Sequence, residues 1–167
     1  MNKTKSTAFL GVCTAVALIL AYIEVILPPI FPAIPGIKIG LPNIIIIFLL
    51  YKKGPVSAII VSLLRILLVS LLFGNTMSLA YSLAGGILSI LVMIILKKTN
   101  KFSTIGVSVA GGVAHNVGQI LMAMLLLSTT EIMYYLTVLI VTGTVTGVFI
   151  GCCGALLIKH IPEKVIK

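Results

Sequence analysis

Charged residues are scarce in this sequence: they make up 9% of its 167 residues, apolar ones make up 60%, and the mean hydropathy is +1.29. A water-soluble globule needs charge over most of its exterior, so that class is excluded and an integral membrane protein is expected. Acidic residues are scarcer still. No aspartate occurs, and Glu24, Glu131 and Glu163 lie far apart, which leaves no carboxylate cluster of the kind that holds magnesium on a diphosphate. No Walker A sequence is present, so any ATP hydrolysis must come from a partner. Cys13, Cys152 and Cys153 lack metal-ligand spacing and are read as small apolar filler. Neither a metal nor a cofactor is expected. The polar breaks between apolar runs are short and leave no room for a soluble catalytic domain, so residues 1–167 are expected to form one membrane domain.

What charge there is, is patterned. The net charge is +9, a balance that elsewhere would suggest nucleic acid. Here Lys3 and Lys5, Lys52 and Lys53, Lys97, Lys98 and Lys101, and Lys159, Lys164 and Lys167 fall in every second break between apolar runs. The intervening breaks carry Lys38 alone, with Glu24 and Glu131 nearby. Lysine and arginine near helix ends fix orientation with the positive side inward. Both termini are therefore expected to be cytoplasmic and the number of crossings even, with no nucleic-acid partner. The protein is expected in a bacterial cell membrane.

The apolar runs give six spans, at about residues 6–27, 37–51, 55–73, 76–96, 104–127 and 132–158. The first follows positive charge but lacks a small-residue cleavage site, so it is expected to stay in the protein. In it Thr7, Gly11 and Ala15 are four apart, as are Ala17 and Ala21, the small-residue spacing that lets helix backbones approach. Prolines through the stretch from Pro28 to Pro42 exclude regular helix. The apolar run from Asn43 to Tyr51 is too short to cross a hydrocarbon core of roughly 30 Å by itself. Ile37 to Pro42 is therefore expected to enter the membrane as irregular backbone, which is tolerated only where it lines a cavity or is buried in protein. That places Gly40, Pro42 and Asn43 near a ligand. In the last span Gly143, Gly147, Gly151 and Ala155 are four apart, a signal for close packing.

Polar groups at depth carry the functional signal. In the fifth span Ser108, Gly111, Gly112, His115, Gln119 and Met122 fall on one helical stripe, with Asn116 at its edge. Arg65 lies about 15 Å into the third span and His115 about 17 Å into the fifth, at one level. An arginine at that depth costs about 2.5 to 3.5 kcal/mol on insertion scales and marks function or a specific partner. Glu24 is expected on the order of 12 Å above Arg65, too far for a direct pair. The guanidinium fork suits a carboxylate or phosphate. The serines of the fourth span, Ser78, Ser82 and Ser89, with Gly85 and Gly86, are read as a packing face, and Tyr81 and Asn75 as the upper wall of a site.

Together, Pro35-Gly-Ile-Lys-Ile-Gly-Leu-Pro-Asn-Ile44, Leu64-Arg-Ile-Leu-Leu, Phe73-Gly-Asn, Tyr81-Ser-Leu-Ala-Gly-Gly and Gly112-Val-Ala-His-Asn-Val-Gly-Gln119 resemble the Gx transporter family, also labelled heptaprenyl diphosphate synthase component I. That family is similar to the substrate-binding S components of energy-coupling factor transporters. One departure is Pro42, where the family pattern has Ala, and it is expected to shift the start of the second helix. The resemblance implies a six-helix membrane bundle that is not itself an enzyme. It would capture a small vitamin- or cofactor-like molecule and work with a transmembrane coupling subunit and cytoplasmic ATPases. Arg65 would hold an anionic or carbonyl group, with His115, Asn116, Gln119, Asn43, Gly40, Asn75 and Tyr81 completing the site. Flavin-like and quinone or isoprenoid-precursor ligands both suit such a pocket. The small-residue face of Thr7, Gly11, Ala15, Ala17 and Ala21 would dock the coupling subunit. The alternative is a non-catalytic membrane accessory of a prenyl diphosphate synthase or quinone-precursor pathway.

Overall fold

The computed structural model describes residues 3–26 and 39–162. Within them the chain is all-helical: α1 (Lys3–Ile26), α2 (Asn43–Lys52), α3 (Pro55–Phe73), α4 (Thr76–Thr99), α5 (Thr104–Leu127), a short 3₁₀ turn at Glu131–Tyr135, and α6 (Leu136–His160). Five of these helices are long and apolar enough to cross a membrane, and α2 is shorter. Large apolar side chains such as Leu71, Leu125 and Val145 point outward and are exposed. Such a surface suits lipid as its solvent, and this is a multi-pass membrane protein.

Helix ends follow local chemistry. Pro55 opens α3 at a position where its missing N–H costs nothing. Asn75 caps α4 through a 2.8 Å bond from the Ser78 N–H to its Oδ1, and Ser103 caps α5 through Gly106. The second expected span follows the sequence reading over its described residues. Residues 39–42 are non-helical and α2 starts only at Asn43, immediately after Pro42. Its ten residues reach about 15 Å, half of a hydrocarbon core. Ile37, Lys38 and most of the proline-rich stretch lie outside the described residues.

α2 is apolar on every side and is accordingly enclosed, with Ile45 through Leu50 all buried. It packs on α6, α3 and α1, while α3 packs on α1 and α4, α4 on α5, and α5 on α6. At the lysine-bearing end two cations tie α2 in place. Lys53 donates to Ser6 of α1 at 2.9 Å, and Lys97 of α4 reaches the Leu50 carbonyl at 2.5 Å while lying over the Tyr51 ring. Those contacts satisfy one of the carbonyls that a helix end leaves over. Because α2 fills only the half of the bundle nearest these lysines, its first residue, Asn43, sits at mid-depth with room beyond it.

Glycine sets the other side of the bundle. A Cβ at Gly147 would fall 2.7 Å from the Val109 Cα, and one at Gly151 would fall 2.7 Å from the Ile105 Cα, so α6 rests directly on the α5 backbone. Gly112 and Gly143 meet in the same way. Gly154 closes the series against another helix, meeting Ile47 of α2.

A candidate small-molecule site at mid-depth

Above the start of α2 lies a cavity of about 430 Å³ bounded by α1, α3, α4, α5 and α6. The structure brings Arg65, His115, Asn116, Gln119, Asn43, Gly40, Asn75 and Tyr81 together on its wall. Arg65 is reached from α3, Tyr81 from α4, and His115, Asn116 and Gln119 from two adjoining turns of α5. The turn at Gly40 has φ +81, a left-handed conformation that glycine adopts without penalty, and it aims Asn43 at α3. Arg65 Nη2 then donates to Asn43 Oδ1 at 3.4 Å, while Arg65 Nε is buried with no hydrogen-bond partner. A buried donor without a partner costs about 1 to 3 kcal/mol, more when charged, and this one borders a cavity.

The remaining groups are held more firmly. Gly85 lets α5 approach α4: a Cβ there would fall 2.7 Å from the His115 carbonyl and 3.1 Å from its ring Cε1. Asn116 Nδ2 donates to the Leu139 carbonyl of α6 at 2.6 Å, in space that the missing side chain of Gly143 leaves open. Asn75 has already committed its Oδ1 to capping α4, so toward a guest it offers its amide N–H groups.

Several lining residues differ from the sequence reading. Glu24 lines the same cavity as Arg65. Its Oε1 accepts from the Leu41 N–H at 2.7 Å, so the non-helical turn is fastened to α1. Ser78 and Ser82, read as a packing face, line the cavity. Thr142 and Thr146 of α6 also line it and were hidden by the glycine pattern around them, although their spacing of four places them on one face.

The small residues of α1 divide between two faces. Thr7, Gly11 and Ala15 are exposed on the outside of the bundle, whereas Ala17 is 0% and Ala21 5% exposed, and Ala21 borders the cavity. Ala17 and Ala21 pack inward because α3 and α2 lie on that side of α1. Among the described residues no group of three or more metal-ligating side chains forms.

Residues 13–157 match the family model described as heptaprenyl diphosphate synthase component I. No curated protein and no solved structure matches the chain.

Proposed function

The chain belongs to the heptaprenyl diphosphate synthase component I family, and from that premise we propose that it is the membrane-embedded, substrate-binding subunit of an energy-coupling factor type transporter. The observation that carries this reading is the mid-depth cavity with the Arg65 Nε buried on its wall and unpartnered. A charged donor kept in that condition is explained by a guest that completes it. In this reading six crossings put both termini in the cytoplasm, with the second crossing made by the non-helical turn and α2 together. The substrate enters from outside, past the turn that Glu24 holds, and its acceptor group meets Arg65. His115, Asn116 and Gln119 orient it. A coupling subunit docks on the exposed face of Thr7, Gly11 and Ala15, and its ATPases supply the energy that this chain, without a Walker A sequence, has no means to release.

The test is mass spectrometry of small molecules retained by the purified protein, set beside Arg65→Gln. The wild-type chain should carry a bound molecule. The variant should melt normally and lose it. Unchanged retention removes Arg65 from the site.

The family description favours a second reading, a non-catalytic accessory that holds a precursor for a prenyl synthase. Affinity purification from the native membrane separates the two. Recovery of an ATPase module supports transport, and recovery of a prenyl synthase in its place supports the accessory role.

A further inference from the structure

Arg65 and α6 meet the cavity with opposite hydrogen-bonding character. Arg65 contributes donors and nothing else. Facing the same space, α6 contributes acceptors. The Thr142 hydroxyl donates to the Leu139 carbonyl at 3.1 Å and the Thr146 hydroxyl to the Thr142 carbonyl at 2.9 Å. Having given up their hydrogens to their own helix, both keep lone pairs for a guest. Asn116 joins this wall: its Nδ2 gives one of its two N–H groups to Leu139, and its Oδ1 can accept from a ligand. α3 packs on α1, α2 and α4, whereas α6 packs on α5 and α2, so the two sets reach one cavity from separate helices.

We propose that the cavity takes a small two-edged molecule, with a carboxylate or carbonyl group at Arg65 and N–H donors on its far edge at Asn116, Thr142 and Thr146. The proposal rests on the substrate-binding reading above and narrows its substrate class. Size agrees: about 430 Å³ lies toward the small end of ligand pockets, roughly 300 to 1,000 Å³, and suits one or two fused rings rather than a polyprenyl chain. A guest lacking N–H donors would desolvate the α6 acceptors without replacing their bonds, the situation in which polar sites discriminate most strongly.

The experiment measures binding by thermal shift and calorimetry on the full chain in detergent. Three probes are compared: orotate, which carries a carboxylate and ring N–H groups; benzoate, which has a carboxylate on a ring of similar size without them; and farnesyl diphosphate. Orotate should bind about tenfold tighter than benzoate or better, the scale of one or more satisfied buried hydrogen bonds. The double variant T142V/T146V keeps the β-branched shape and should close the gap between the two acids, weakening orotate while benzoate, which no longer buries two unanswered acceptors, holds its affinity or gains. Arg65→Gln should remove both. Equal affinity for the two acids, with a silent threonine variant and continued dependence on Arg65, overturns the two-edged site and leaves the substrate-binding reading standing. Failure of both acids to bind at millimolar concentration also overturns the proposal. Preference for farnesyl diphosphate overturns the proposal and the transport reading together.

Discussion

The two sides of this bundle are held together differently. Between α4, α5 and α6, backbone meets backbone: Gly118 faces the Ala84 carbonyl, Gly85 the His115 carbonyl and Gly147 the Val109 Cα, each leaving a would-be Cβ 2.7 Å from its neighbour. Around α1, α2 and α3 the joints are side chains, including Lys53 with Ser6, the Tyr22 and Phe73 rings at 5.3 Å, and Glu24 with the Leu41 N–H. Backbone contacts have no rotamers to change, so the first side is a fixed wall that presents His115, Asn116, Gln119, Thr142 and Thr146. Side-chain joints can be remade. The second side carries Arg65, Asn43 and Glu24, and it also carries the turn through which a guest would pass. A carrier needs that combination of a rigid surface to read its substrate and a partner surface able to rearrange around it.

The largest effect is expected from breaking the fixed wall. In Gly147→Ala the new methyl meets the α5 backbone, which has no side chain to swing away, so α6 must lift from α5. Overpacking of this kind costs about 3 kcal/mol. The thermal midpoint in detergent should fall sharply, and ligand retention should fall with it, since Thr142 and Thr146 move with α6. A variant that melts like the wild type would show that the contact yields, and the contrast between the two sides would then fail.

A smaller effect is expected on the adjustable side. Gly40→Ala places a side chain at φ +81, a conformation that costs roughly 1 to 2 kcal/mol for residues with a Cβ. The added Cβ also falls 3.0 Å from Asn43 Nδ2, disturbing the amide that receives the Arg65 guanidinium. Ligand affinity should drop about tenfold while the midpoint moves less than in Gly147→Ala, if a single hydrogen bond at the site is what the turn protects. An unchanged affinity would mean that Asn43 does not position Arg65.

Much of this division could be read from the residues, and the part that could not has a physical reason. Apolar runs located the helices well: α3 and α5 occupy 55–73 and 104–127 as expected, and α4 runs three residues past the expected 96. The prolines and the short run after them foretold irregular backbone ahead of a truncated helix, because each proline removes a donor whatever the tertiary context. The stripe of His115, Asn116 and Gln119 was legible because polarity in an apolar helix has no other ready explanation. Which way α1 turns was not. Gly11 and Ala17 are both small, and spacing alone cannot say which faces a neighbour in a helix whose every side is compatible with lipid or protein.

The smallest effect on stability, and the sharpest test of the outer face of α1, is expected from Gly11→Leu. Nothing lies within 4 Å of a Cβ built at Gly11, so the bundle has no contact there to lose. Leucine is also the better helix former by about 0.8 kcal/mol. The midpoint should therefore stay the same or rise slightly, and retention of the bound molecule should not change, because Gly11 is not part of the cavity wall. What should disappear is recovery of the partner subunits in pull-downs, since a small-residue face accepts another helix only while it stays small. Ala17→Leu provides the opposite pattern. Its methyl is already buried against the bundle, so enlargement there should lower the midpoint and reduce partner recovery only as far as it unfolds the chain. If Gly11→Leu left partner recovery intact while remaining folded, the docking face would have to be sought on another helix, and the adjustable side would have no demonstrated link to an energy source.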